Sequence, residues 1–428
     1  MWRFLCSSRQ RAQQRVFRFR GSRECHHLPD FDAVLDRSAF LTEKHDLKGS
    51  VFRADASAIP MWVADSDLPI CPRVHSAICE RAQHPSFGYT IKPRELWEVV
   101  ARWYQKRHDW AVDPSSFVFS TGVIAAAGFC LRAFSRPGDA VAVLTPLYAQ
   151  LQRLVEGEGR RLVCHHLREA PWALSTGQVT RAYFIDFEAL ESQLQRENVR
   201  LLIFCNPHNP SGRVWSRREL QDLVTLCRRH GVLIISDEIH ADWCLFGYKH
   251  VPMATVAAPG EVVTLGGPGK TFAIPGLQAN FAILEDEALR ERYISAAAHT
   301  ANNEGSVFAI VGMLAAYRYG GPWLEAARSY VECNAATAEE FLAQRLPQVR
   351  VWRPMATFLL WLDFSELRLA PHEIQDLLVQ GGVLLTPGSE YGEEAANFQR
   401  MNIACARVIL LKALRRLEAA VNSRCGEV

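Results

Sequence analysis

The sequence predicts an α/β protein in which a mostly parallel sheet flanked by helices is joined to a smaller α+β domain, and three observations predict it. The 428 residues exceed what one ordinary compact core organises. Five short apolar runs rich in β-branched residues, Phe117 to Ser120, Ala140 to Leu144, Arg200 to Cys205, Val232 to Ile235 and Val262 to Leu265, alternate with helical stretches, the pattern of βα units. After about Gly320 the pattern changes to a long helical stretch from Trp323 to Leu346, a strand-like Phe358 to Leu362 and a closing helix near Val408 to Val421.

Each element follows from local chemistry. Between the third and fourth runs, Leu220, Leu223, Val224 and Cys227 recur at helical spacing within Ser216 to His230, which predicts an amphipathic helix. The expected division is a basic extension over 1–28, an N-terminal segment over 29–72 that packs with the small domain, a large domain over 73–315 and a small domain over 316–428. No internal repeat appears, which argues against a solenoid.

Composition narrows the function. About half of the residues are apolar, the charged fraction is 22%, and no apolar run reaches the roughly 18 to 20 residues of a membrane span. The net charge is +2, yet residues 1–23 hold seven arginines and no acid, so removing those seven charges leaves the remainder at −5. Such a body gives no electrostatic reason to bind nucleic acid. The arginine-rich, acid-free leader lacks the apolar stretch of a secretory signal and suits either a tail on a cytoplasmic protein or an organellar transit peptide. The twelve cysteines fall at no metal-ligand spacing, so no metal site is expected, and they read as reduced thiols.

Open parallel sheets bind ligands beyond the carboxyl ends of their strands. In order, those positions carry Thr121-Gly122-Val123, Thr145 to Tyr148, Asn206 to Pro210, Ser236 to His240 and Gly266 to Lys270, a convergence of polar groups on one crevice. Lys270 is one of only seven lysines against forty-one arginines. A lysine, unlike an arginine, can lose its proton when desolvated and form an imine with an aldehyde. Asp237 closes the run VLIIS, where a buried acid needs a cationic partner; a protonated pyridine nitrogen is one, and holding it protonated makes the ring an electron sink. Gly122 and Val123 stand where strand becomes helix, so free N–H groups there suit a phosphate. Tyr148 could stack on a ring, and Asn206 and His240 could donate to its phenolic oxygen. Arg407, in NIACAR, could grip an α-carboxylate through its fork of donors. Together these residues point to pyridoxal phosphate and an amino-acid substrate.

The same residues, in this order, resemble the fold type I pyridoxal-phosphate enzymes, and within them the MalY/PatB branch of cystathionine β-lyases and aminotransferase-like C–S lyases. The resemblance runs from FDAVLDR through MWVADSD, FGYT, TGVI, GDAVAVLTPLY, LLIFCNPHNPSGRVW, VLIISDEIHAD, GKTFAIPGLQ, YGGPWL and LLTPGSEYG to NIACAR, about residues 30 to 420. It implies that Lys270 is the Schiff-base lysine and Asp237 the partner of the ring nitrogen. It further implies that Tyr148 stacks on the ring, Asn206 and His240 flank its phenolic oxygen, Gly122 and Val123 hold the phosphate, and Arg407 holds the substrate carboxylate. Tyr89 would reach across from the partner subunit of a homodimer with shared sites, and Trp62 is a candidate for the substrate wall. The implied reaction is α,β-elimination on cystathionine or a related cysteine thioether, with transamination as the alternative from the same site and a degenerate regulatory or binding protein of the same fold as a third reading. Proton transfer to the leaving sulfur falls to Lys270 or Tyr89. The chain departs from the family where S-x-S-K is usual: Gly267-Pro268-Gly269-Lys270 lacks both hydroxyls, and weaker cofactor binding is the expected consequence. Ala406 likewise replaces the proline common before the arginine.

Overall fold

The computed structural model describes residues 27–173, 179–300 and 305–425. The arginine-rich arm of residues 1–23, and with it the transit-peptide reading, lies outside them. Seven strands form the central sheet: β1 Phe117–Ser120, β2 Ala140–Thr145, β3 Arg161–His166, β4 Val199–Cys205, β5 Leu233–Asp237, β6 Val262–Gly266 and β7 Asn280–Ile283. Their order across the sheet is β1-β7-β6-β5-β4-β2-β3. Only β7 runs antiparallel, to both β1 and β6. All five strands read from the sequence are present. The two it did not show are the edge strand β3, whose RLVCHH is partly exposed, and β7, whose four residues NFAI carry too short a signal.

All six residues of β2 are buried, because helices cover both faces of the sheet and a strand buried on both faces loses its alternation. The helices that bear on the site are α1 Arg94–His108, α2 Val123–Phe134, α3 Arg217–Arg229, α4 Pro268–Thr271, α5 Val307–Tyr319, α6 Gly321–Arg345 and α7 Arg407–Cys425. The amphipathic segment predicted between β4 and β5 is α3. Its start is fixed by a capping box in which Ser216 and Glu219 each satisfy the other's backbone N–H.

A second sheet, entirely antiparallel, holds β8 Arg350–Trp352, β9 Leu359–Asp363, β10 Thr386–Pro387 and β11 Phe398–Asn402 in the order β8-β9-β11-β10. The N-terminal segment is bound to this end of the chain, with Ile59–Pro60 pairing in parallel with Val383–Leu384. One apolar core runs continuously from Phe31 and Ile59 through α1, α5 and α6 to Leu360, Leu414 and Val421.

The loop after β4 is fastened to the connection between β8 and β9 at Gly212, whose carbonyl accepts from the N–H groups of Met355 (3.0 Å) and Ala356 (2.9 Å). A Cβ at Gly212 would stand 2.7 Å from the Ala356 oxygen, and its φ is +70°. Glycine is required there on both counts. Among the described residues, no helix is long and apolar enough to cross a membrane.

Candidate active site

The carboxyl ends of the strands open on a cavity of about 470 Å³, within the size range of small-molecule sites. Lys270 enters it from α4, the single helical turn after β6. Its backbone is held on two sides: Trp243 Nε1 donates to the Lys270 carbonyl at 2.7 Å, and the Thr271 hydroxyl donates to Asp242 Oδ2 at 2.9 Å. Asp242 is itself buried and receives Arg107 Nε at 2.8 Å, with Trp103 Nε1 and His108 Nε2 at 3.2 Å. Burial alone would raise its carboxyl. The hydrogen bond and charge of His108, the Arg107 charge and the Thr271 hydroxyl instead bring it down to about 2.

The Lys270 amine donates to the Ala64 carbonyl at 2.5 Å. Burial, reinforced by the positive charge of Arg400, lowers its pKa to about 8, so the neutral amine is within reach near physiological pH. Across the cavity, burial pushes the Asp237 carboxyl up to about 6 even though it accepts the Ile239 N–H at 3.2 Å. His240, three residues on, is held neutral: burial first, then the charges of Lys270 and Arg400, depress it to about 3. Its Nδ1 is buried with no hydrogen-bond partner among the described residues, an arrangement that costs free energy until a ligand fills it.

At the end of β1, Thr121, Gly122 and Val123 line the same cavity. No side chain caps the start of α2, so the first N–H groups of a twelve-residue helix point toward the ligand space, a preformed anion site. Tyr148 lies on the wall that follows β2, half-buried.

The opposite wall is the segment MWVADSD. Asn402 Nδ2 donates to the carbonyls of Val63 (2.7 Å) and Asp65 (2.6 Å), and Arg400 and Thr386 each donate to Trp62 O at 2.8 Å. Charge fixes its far end. Asp67 meets Lys44 at 2.6 Å, Arg37 at 2.5 Å and His45 at 3.0 Å, and although burial opposes it, the Lys44 charge and the His45 hydrogen bond lead the partners that hold its carboxyl well below the usual range. Ala64, the acceptor for Lys270, is therefore part of a braced strap.

Of the residues singled out in the sequence, Lys270, Asp237, His240, Tyr148, Gly122, Val123 and Trp62 all line this cavity. Three do not. Asn206 turns away and donates from Nδ2 to the Val251 carbonyl at 3.0 Å, while Asn209, three residues later, faces in. Arg407 heads α7, where its Nε donates to Asn334 Oδ1 at 3.2 Å and its guanidinium lies over the Tyr330 ring. Arg400, seven residues earlier on β11, is 4% exposed and reaches the cavity. Tyr89 projects from the surface, fully exposed in the single chain.

Pyridoxal phosphate fits the groups present. An uncapped helix start suits its phosphate, the buried Asp237 suits a protonated ring nitrogen, and the orphaned His240 nitrogen, Asn209 and a lysine poised to lose its proton suit the oxygen and aldehyde side of the ring. With the cavity at the strand ends of a mainly parallel sheet, these define a pyridoxal-phosphate enzyme of fold type I. More narrowly, the chain belongs to the aminotransferase class I and II family, whose model matches residues 63–417. It is 40% identical over 396 residues to the cystathionine β-lyase PatB of Bacillus subtilis, an alignment spanning 92% of this chain and all of that one. It is 32% identical to protein MalY of Escherichia coli over 92% of this chain and 99% of the relative. The crystal structure of the pyridoxal-phosphate-bound C–S lyase from Staphylococcus hominis superposes with a TM-score of 0.82 at 29% identity, covering 92% of this chain and 99% of that one.

Proposed function

We propose that this chain cleaves the carbon–sulfur bond of a cysteine thioether amino acid such as cystathionine, releasing a thiol, pyruvate and ammonia. The observation that carries the reading is the meeting, in one cavity, of an easily deprotonated Lys270, a buried Asp237 and a buried Arg400. The 40% identity to a cystathionine β-lyase favours elimination over transamination.

Bound pyridoxal phosphate supplies an electron sink for the pair left behind when the α-proton departs. Asp237, buried at the end of β5, would face the ring nitrogen and favour its protonated form. Arg400 grips the α-carboxylate and so fixes which substituent of Cα faces Lys270. Lys270 would hold the cofactor aldehyde and, as a neutral amine, take up the α-proton, and its depressed pKa makes it a competent base near neutrality. Asn209 accepts from Arg400 Nη1 at 3.2 Å and orients it. Tyr148 and Trp62 line the cavity, where Tyr148 would cover the ring face and Trp62 the substrate side. In this assignment Arg400 and Asn209 take the roles that the resemblance gave to Arg407 and Asn206.

The working unit is a homodimer. Phe87, Tyr89 and Ile91 are 58%, 106% and 71% exposed, more apolar surface on one short segment than water favours, and a second copy would cover it while carrying Tyr89 into the neighbouring site. The seven-stranded and four-stranded parts act as large and small domains, and the enzyme works in a cytoplasmic setting.

Incubating purified protein with cystathionine, without any keto acid, tests the reaction. Equimolar thiol and pyruvate are expected, and Lys270→Ala abolishes both. Turnover that strictly requires a keto-acid acceptor overturns elimination in favour of transamination.

A further inference from the structure

The two serines missing before Lys270 leave their places unequally filled. A Cβ built on Gly267 would stand 2.2 Å from Asn280 Oδ1, 2.8 Å from its Cγ and 3.0 Å from the Ala279 carbonyl. The backbone there is extended, with φ at 166°, a conformation open to any residue, so Gly267 is demanded by space rather than by torsion. The space it leaves belongs to the amide of Asn280. At Gly269 the situation is opposite, since an added Cβ would make only ordinary contacts of 3.4 Å or more with Pro275.

Asn280 is placed to use that space. It begins β7 and pairs in register with Ser120, the last residue of β1 and two before Gly122. It lines the same cavity as Thr121, Gly122, Val123 and Lys270 and is 9% exposed. A primary amide carries two N–H donors, and this one stands at the anion end of the cavity beside an uncapped helix start. We infer that Asn280 binds the cofactor phosphate in place of the absent serine hydroxyls, and that Gly267 and Asn280 form an exchanged pair in which the small residue makes room for the amide. This rests on the phosphate lying at the start of α2. It also revises the weaker cofactor binding expected from the loop sequence alone, because a donor lost from the loop returns from the neighbouring strand.

The test compares dissociation constants of pyridoxal phosphate and of pyridoxal, which lacks the phosphate, for the full-length protein. Wild type prefers the phosphorylated form. Asn280→Ala weakens pyridoxal phosphate by roughly ten- to a hundredfold, the worth of a hydrogen bond to a charged group, and leaves pyridoxal unchanged, which also shows that the variant is folded. Gly267→Ser alone weakens cofactor binding through its collision with the amide. The double variant Gly267→Ser/Asn280→Ala recovers most of the loss, and Gly269→Ser binds at least as tightly as wild type.

Equal losses for both ligands in Asn280→Ala, no loss at all, or an unimpaired Gly267→Ser overturns the role of Asn280 while leaving the helix site standing. A wild type that binds pyridoxal as tightly as pyridoxal phosphate overturns the phosphate placement and the inference with it.

Discussion

Arg400 and Asn209 meet across the floor of the cavity, Nη1 to Oδ1 at 3.2 Å, although 191 residues separate them in the chain. The contact joins the loop after β4 to strand β11, and it couples the two parts of the protein at the point where a substrate carboxylate would bind. Arg400 also donates to the Trp62 carbonyl, while its Nε, buried, has no partner among the described residues. A guanidinium so placed is costly unless a ligand completes its bonding.

Arg400→Ala is therefore expected to lower kcat/KM for cystathionine by about 2 to 5 kcal/mol, or roughly thirty- to several-thousandfold, the range for truncating one partner of a buried charged pair. Arg407→Ala removes only the bond to Asn334 and the contact with Tyr330. Steady-state pyruvate release should stay within about twofold of wild type, with a loss of about 1 kcal/mol of stability. If Arg407→Ala suffers the larger kinetic loss, the assignment of Arg400 is wrong.

The sequence made the crevice legible but not the direction of its side chains. Lys270, Asp237, His240 and the Gly122-Val123 turn each directly follow a strand whose apolar run is plain, so their positions could be read from periodicity. Asn206 and Asn209 lie three residues apart in one loop, and only the fold shows that Asn206 is turned to Val251. Arg400 was concealed differently. All five residues of β11 are buried, so no alternation marked which face it takes, whereas Arg407 carried a familiar motif. One signal was available: an arginine between Phe398 and the apolar-rich MNIACA is expensive to bury without a purpose. The Gly267 and Asn280 exchange could not be read at all, because it depends on the packing of β7 against β6.

The depressed pKa of Lys270 implies a pH effect on the cofactor-free protein. Its folded value, about 8, lies below the ordinary lysine value of 10.5, so between these limits the unfolded chain binds the proton more tightly and stability rises with pH. The burial penalty is in full force below about pH 8 and is relieved by about pH 10.5. In thermal melts, Lys270→Met should be stabilised relative to wild type at pH 7.5, and the difference should shrink by pH 10. A difference independent of pH would mean that the amine is not desolvated in the folded state.

Asp242 acts on Lys270 at one remove. Its carboxylate fastens Thr271 while gathering Arg107, His108 and Trp103, and removing it takes that acceptor from all four, leaving Arg107 only Glu325. Asp242→Ala should cost about 3 to 5 kcal/mol of stability, read by chemical denaturation. Stability again rises with pH, here because a stabilising charge is gained rather than a burial penalty relieved. The folded value of about 2 lies below the ordinary aspartate value of 3.8, so the contribution is complete above about pH 4 and fades as acid approaches pH 2. Wild type and variant should therefore converge in acid unfolding, and equal stability at pH 7 would show that the cluster adds nothing net to stability.

Tyr89 gives the sharpest test of a shared site, because its side chain touches nothing that would complete a cavity within one chain and is wholly exposed there. If it serves the neighbouring subunit, Tyr89→Ala and Lys270→Ala damage different halves of each active site. Both homodimers should be nearly inactive. When the two variants are unfolded together and refolded as a mixture, the hybrid dimer carries both lesions in one site and neither in the other. Activity should then reappear, up to about half a normal site complement per hybrid. Size-exclusion chromatography coupled to light scattering would establish the dimer in the same samples. A mixture no more active than its parts, from protein shown to be dimeric, would assign Tyr89 to its own subunit or to no site at all.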